Sequence, residues 1–144
     1  MEKLTPYLMY NGVCEEAMNF YKECFNGEIV NMGRYGDSPM EVPEPHKTKI
    51  VHVEFRFWEV HSMPLDNMDI AESSEKSERS RIHLSLEFED SFKMEQTFEK
   101  LKQDGQVTME LKEQFWGDNF GMLTDKFGIK WMFNCPKTVS DKEN

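Results

Sequence analysis

The stretch IHLSLEFEDSFKMEQTFEKLKQDGQVTMEL, residues 82–111, contains a strand, a helix and a second strand in close succession. Its first seven residues alternate between an apolar set and a polar set, which predicts a half-buried strand: Ile82, Leu84, Leu86 and Phe88 against His83, Ser85 and Glu87. Asp90 and Ser91 can cap a helix whose apolar stripe is Met94, Phe98 and Leu101, and Gly105 ends it.

The first half of the chain repeats this order of elements. Leu4–Tyr10 predicts a strand, and a helical stripe comes next, made of Val13, Ala17, Phe20/Tyr21 and Cys24 and closed by Gly27. Aligning Gly27 with Gly105 also aligns Phe20 with Phe98 and Tyr10 with Phe88. The repeat predicts one α+β domain, residues 1–136, of two modules at about 3–65 and 80–135. The polar loop 66–80 joins them, and the tail 137–144 is too polar to pack.

Only strands are expected after each helix. Residues 51–58, 107–112 and 129–135 all alternate between apolar and polar side chains. Such a sheet has helices on one face and leaves a semi-polar face to line a cleft, where a small ligand can bind.

Composition narrows the classes of partner. The 144 residues carry a formal charge of −10, which disfavours nucleic acid and anionic membranes as partners. The chain shows neither a membrane-spanning run nor a signal-peptide pattern near its amino terminus, so we expect a cytoplasmic protein. Its three cysteines lack CxxC spacing and are expected to be buried free thiols.

Motifs for nucleotide, metalloprotease or hydrolase chemistry are missing from the sequence: it contains no GxGxxG, GxxxxGK[ST], HExxH or GxSxG. Strand alternation instead predicts a ligand pocket lined by His83, Ser85, Glu87, Trp116, Phe120, Met132 and Asn134. Trp116 could equally pack at a dimer contact. Glu54 and Glu87 are the candidates for acid/base catalysis, His52 is expected in a polar network on its strand, and His46 is expected on the surface.

Three segments, residues 6–28, 32–37 and 114–135, resemble the PhnB-like branch of the glyoxalase/bleomycin-resistance/dioxygenase group, the vicinal oxygen chelate superfamily. The resemblance covers nearly all of residues 3–136. It implies paired βαβββ modules that form a curved, cup-shaped mixed sheet with helices outside, and it implies a homodimer.

Metal-using members of this superfamily place ligands on the first strand of each module and on one late strand of each. Here the first position falls at Thr5, Pro6 or Tyr7 and the last near Met132, none of which suits a divalent metal. Only His83, with His61 second, matches a ligand position. We therefore predict no cofactor, with a weak divalent-metal site at these two histidines as the alternative.

Two functions are compatible with this pattern. The first is a small-molecule-binding protein with an unknown ligand. The second is a lyase, isomerase or dioxygenase-type enzyme that uses a reduced metal site or metal-free acid/base chemistry. Members of this branch often carry a ubiquinone-pathway methyltransferase label, but the chain is short and lacks a glycine-rich cofactor loop, so methyl transfer is not expected.

Overall fold

The computed structural model describes residues 2, 4–58, 60–62, 64–66 and 81–137. It divides the chain into two compact units, Met1–Glu72 and Ser73–Asn144. Most of the predicted linker, residues 67–80, and the tail from residue 138 lie outside the described residues.

The first unit contains one helix and five strands: β1 (Met9–Tyr10), α1 (Cys14–Phe25), β2 (Glu28–Arg34), β3 (Ile50–Phe57), β4 (Val60–Ser62) and β5 (Leu65–Asp66). Strands β2, β3 and β4 form an antiparallel sheet in that order, and β1 pairs with β5 in parallel. Two short 3-10 turns, Tyr35–Asp37 and Glu44–His46, lie between β2 and β3.

The second unit contains β6 (Leu84–Glu87), α2 (Ser91–Leu101), β7 (Gln106–Glu113), β8 (Asn119–Thr124) and β9 (Lys130–Cys135). Its sheet has the order β6-β9-β8-β7, in which β6 and β9 are parallel and the other pairs antiparallel. In each unit the first strand pairs in parallel with the last. The predicted α+β fold is confirmed, and both units begin with a strand, a helix and a second strand.

The helical stripes form the cores of the units. Helix α2 buries Met94, Phe98 and Leu101 as predicted, and the Phe98 ring meets Phe133 of β9 edge-on at 5.0 Å between centroids. Helix α1 buries Ala17, Tyr21 and Cys24 of the predicted stripe together with three further residues: Cys14, Met18 and Phe25. Val13, predicted in the stripe, precedes the helix and is 37% exposed.

A left-handed residue followed by glycine comes directly after α1 and three residues after the end of α2. Asn26 and Asp104 take left-handed backbone conformations (φ 54° and 58°), and a glycine comes after each. A Cβ on Gly27 would lie 2.6 Å from the Phe55 ring, and one on Gly105 would lie 2.4 Å from the Thr124 carbonyl oxygen. The chain thus needs glycine at both positions, because β3 passes too close to Gly27 and the end of β8 too close to Gly105 for a side chain.

Two predicted strands are shorter than expected. The strand predicted over Leu4–Tyr10 is reduced to β1, because β5 offers it only two partner residues. Ile82, predicted to face the core, is 74% exposed. The pairing of β6 with β9 begins at Leu84 and Trp131, so Ile82 lies beyond the paired region and has no sheet position to bury it.

Two predictions about polar residues are also wrong. His46 is only 7% exposed, since it lies in the second 3-10 turn, and its Nδ1 has no hydrogen-bond partner among the described residues. Asp66, predicted to open the solvated loop, is 1% exposed because its carboxylate binds backbone amides. Lys137, the first residue of the predicted tail, forms an exposed ion pair with Glu113 at 2.9 Å.

Candidate functional site

Helix α2 packs on one face of the second unit's sheet, and the side chains on the opposite face are half-buried or exposed. We call this opposite face the distal face. Strand register arranges its side chains in two rows. The first row is Ser85, Met132, Met122 and Met109, and the second is Glu87, Asn134, Phe120 and Lys112.

The register brings most of the predicted pocket residues together. Ser85 pairs with Met132, and Asn134 pairs with Glu87 on one side and with Phe120 on the other. Paired residues on one face have Cβ atoms about 4.5–5.5 Å apart, so their side chains can touch one ligand. His83 is exposed and lies just before β6, outside the paired part of that strand.

Aromatic rings extend the second row. Trp116 lies in the turn between β7 and β8 and meets Phe120 edge-on, with ring centroids 6.0 Å apart. Trp116 is 51% exposed, and its neighbour Phe115 is 97% exposed. The described residues therefore present a partly exposed aromatic cluster beside Asn134 and Lys112.

Met109 and Met122 of the methionine-containing row were not among the predicted pocket residues, and alternation puts Met109 on the wrong face. Simple alternation puts Val107, Met109 and Leu111 on one face, but the register of β7 shifts between Val107 and Met109 and again before Lys112. Such β-bulges insert an extra residue and reverse the face on which the later side chains lie. Met109 consequently lies opposite Met122, on the distal face. The same shifts mean that Thr108 and Trp116 do not lie on one strand face as alternation predicts. Strand β7 ends at Glu113, so Trp116 contacts Phe120 from the turn that follows.

The acid/base candidates have different surroundings. Glu54 on β3 forms an ion pair with Arg56 at 2.6 Å, and its side chain is 17% exposed. The carboxylate is thus engaged by a guanidinium on its own strand. Glu87 is exposed beside Asn134, where a ligand can reach it. His52 is exposed on β3 opposite Gly33.

Within the described ranges there is no group of three or more His, Cys, Asp or Glu side chains that could hold a metal ion. The structure describes the first and the last of the superfamily's ligand positions. Tyr7 is 58% exposed, and Met132 is half-buried, with buried Trp131 before it and buried Phe133 after it in the strand. His61 belongs to β4 opposite Arg56, but its side chain lies outside the described residues.

A cluster of buried titratable groups in the first unit has a structural role. The Asp66 carboxylate accepts hydrogen bonds from the backbone amides of Cys14 (2.8 Å) and Ile50 (2.9 Å), and the Tyr35 hydroxyl donates to the Asp66 carbonyl (3.0 Å). Burial, together with the charges of Asp66 and Glu15, raises the pKa of the Cys14 thiol to about 12. Cys14 is therefore a protonated, unreactive thiol at neutral pH. The pKa of Tyr35 is also raised, by burial and then by Asp66.

All three cysteines are buried and free, as predicted. In the described part of the chain, neither helix is long and apolar enough to cross a membrane.

Two surface grooves lie at one end of the same sheet. The larger, of about 460 Å³, is lined by Asn119 and Cys135 among others, and the Asn119 Oδ1 atom is buried without a hydrogen-bond partner among the described residues. The smaller, of about 420 Å³, runs past Glu87 and Glu89 and shares Pro136 and Lys137 with the first. Glu87 is the one predicted pocket residue that lines either groove, because both grooves depend on where β9 leaves the sheet.

Known proteins similar to the chain match nearly its whole length. PA1353 from Pseudomonas aeruginosa is 33% identical, with a TM-score of 0.82 over 94% of this chain and 98% of that one. The PhnB protein from Bacillus cereus is 30% identical, with a TM-score of 0.73 over 93% and 99% of the two chains. Protein YjdN of Escherichia coli K12 is 29% identical over 93% of this chain and 95% of its own.

More distant structures share the fold alone. The fosfomycin resistance protein FosX from Mesorhizobium loti (TM-score 0.60, 10% identity, 100% of this chain and 99% of that one) and the bleomycin resistance determinant of transposon Tn5 (0.55, 12%, 96% and 100%) both align. Residues 2–133 match the family described as 3-demethylubiquinone-9 3-methyltransferase. The chain therefore belongs to this PhnB family and has the glyoxalase/bleomycin-resistance fold of the vicinal oxygen chelate superfamily.

Proposed function

We propose that the distal face binds a small amphipathic organic molecule and that the protein acts by binding, without transforming its ligand. The register of β6, β9, β8 and β7 is the observation that carries the proposal. It aligns a row rich in thioethers with a row that carries a carboxylate, an amide, an aromatic ring and an ammonium group.

The chemistry of these side chains suits an apolar ligand with a few polar groups. Methionine side chains are flexible and pack well against aromatic rings, so the first row can adapt to a ring system. Phe120 and Trp116 add aromatic surface at one end. Glu87, Asn134 and Lys112 can fix the orientation of a ligand through hydrogen bonds, as polar groups in small-molecule sites commonly do.

Methyl transfer, the activity in the family's name, is less well supported by the local structure. The two strand-to-helix junctions are Asn11–Val13 and Phe88–Asp90, and they contain one glycine between them, Gly12. Glycine-rich junctions of this kind bring the backbone close to a nucleotide cofactor. We accordingly place binding ahead of cofactor-dependent chemistry.

The neutral aromatic amine N-phenyl-1-naphthylamine is a suitable probe of the distal face. We expect its fluorescence to increase on binding. We expect the Met132→Glu variant to bind the probe at least tenfold more weakly, because the bound probe would remove water from a carboxylate in the middle of the first row. Fluorescence titration of both chains measures the effect.

Met40→Glu is the matched control, because Met40 is 48% exposed on a loop of the first unit. This variant should bind the probe as the unmodified chain does. Equal affinity of Met132→Glu and the unmodified chain, with both folded by circular dichroism, would count against the distal face.

We predict no stoichiometric Zn²⁺, Ni²⁺, Mn²⁺ or Fe²⁺ in protein purified without an affinity tag, because His83 and His61 are too few ligands for a tight site. Glyoxalase activity on a methylglyoxal–glutathione hemithioacetal should be near background for the same reason. Elemental analysis that finds about one metal per chain, lost in His83→Ala, would favour the enzyme hypothesis instead.

We also propose a homodimer. Among the described strands, β6 and β7 form the two edges of the four-stranded sheet, and exposed edges are commonly covered by another chain. Light scattering at micromolar concentration should return twice the chain mass of 17.1 kDa. A mass of 17.1 kDa alone would exclude the dimer at that concentration.

A further inference from the structure

Three of the protein's 11 methionines lie in one row across neighbouring strands. Met109 of β7 pairs with Met122 of β8, and Met122 pairs with Met132 of β9. Met109 is 40% exposed, and the other two are half-buried. The three side chains leave the same face of the sheet, where solutes can reach them. We call them the methionine row.

The spacing of the row allows the three sulfur atoms to converge. Neighbouring strands lie about 4.7–4.9 Å apart, and a methionine side chain has three rotatable bonds before its methyl group. The outer two sulfurs, on Met109 and Met132, can therefore turn inward over the central residue, Met122. Ordinary rotamer changes are enough to produce a trigonal set of three thioether donors.

Thioether sulfur is a soft, uncharged ligand, and such ligands favour soft cations such as Cu(I) over hard cations such as Mg²⁺ or Ca²⁺. The residue that continues the row, Ser85, contributes only a hydroxyl group. The formal charge of −10 also favours cations near the protein surface.

We propose that Met109, Met122 and Met132 form a binding site for one soft monovalent cation, Cu(I) or its analogue Ag(I). The site uses three residues of the distal face's first row, but it needs no organic ligand, so its test does not depend on the function proposed above. It also differs from the superfamily's ligand positions, since Met109 and Met122 come from strands β7 and β8.

The competing soft ligands in the chain are the thiols. Cys14 is fully buried, and Cys24 and Cys135 are each 5% exposed. All three are therefore much less accessible to an arriving cation than the methionine row. A test must nevertheless distinguish thioether from thiol binding directly.

Silver ion is the probe, because it needs no reductant to remain monovalent. The chain is labelled with ¹³C at the methionine methyl groups, single Met→Leu variants assign the signals, and silver nitrate is added in chloride-free buffer. We expect the signals of Met109, Met122 and Met132 to shift together and to saturate at one Ag⁺ per chain. Those of Met9 and Met40, both exposed, should stay in place during this first equivalent.

Met122→Leu should weaken binding of the first equivalent at least tenfold, and Met40→Leu should leave it unchanged. Leucine conserves the size and apolar character of methionine, so both variants should fold. Unmoved signals for the methionine row overturn the proposal. First-equivalent binding by the triple variant M109L/M122L/M132L as tight as that of the unmodified chain overturns it as well.

Discussion

Asp66→Ala should lower the free energy of unfolding by about 3–5 kcal/mol. The substitution leaves the backbone amides of Cys14 and Ile50 buried without an acceptor, and each such group costs about 1–3 kcal/mol. Asp66 thereby connects the start of α1, the start of β3 and strand β5. Urea denaturation monitored by circular dichroism measures the loss.

Two further variants calibrate this result. Asp66→Asn retains one carbonyl oxygen and can satisfy one amide, so its loss should be intermediate. Asp37→Ala removes an exposed carboxylate and should change stability by about 0.5 kcal/mol or less. If Asp66→Ala unfolded at the urea concentration of the unmodified chain, the role assigned to Asp66 would be wrong.

Asp125→Ala should have a similar effect in the second unit, about 3–5 kcal/mol. Its buried carboxylate accepts three hydrogen bonds, from the amides of Phe127 (2.8 Å) and Ile129 (3.1 Å) and from the indole nitrogen of Trp131 (2.8 Å). One buried donor, the Trp131 indole, and two partly buried amides lose their acceptor together. The turn that sets the register between β8 and β9 should loosen.

Hydrogen exchange of the Trp131 indole proton provides a local readout of that change. Exchange should be faster in Asp125→Ala and unchanged in Asp118→Ala, whose half-buried carboxylate makes no side-chain hydrogen bond in the described residues. Equal exchange rates in the two variants would show that Asp125 does not hold the indole.

Alternation and helical spacing predicted much of the fold because they report burial within one element. Leu86, Phe133 and Met94 lie in the core where the sequence predicts them. The sequence also predicted that each helix ends before a glycine. The structure explains both glycines, since a side chain at Gly27 or Gly105 would clash with a neighbouring strand.

Features that depend on contacts between elements could not be predicted in this way. The bulges of β7 leave no local sign, so the position of Met109 opposite Met122 emerged only from the strand register. Burial of Asp66 depends on amides 16 and 52 residues away in sequence, and burial of His46 depends on the fold of the loop around it. A polar residue type by itself predicts exposure to solvent, and only the contacts of the folded chain show that Asp66 and His46 are buried.

Backbone amide NMR with N-phenyl-1-naphthylamine is the decisive measurement for the distal face, because it locates the bound probe without a mutation. We expect shifts concentrated at Ser85, Met122, Met132 and Asn134, with little change along α2. Shifts confined to Asn119, Cys135 and Lys137, in the groove at the end of the sheet, would contradict the distal face as the binding site.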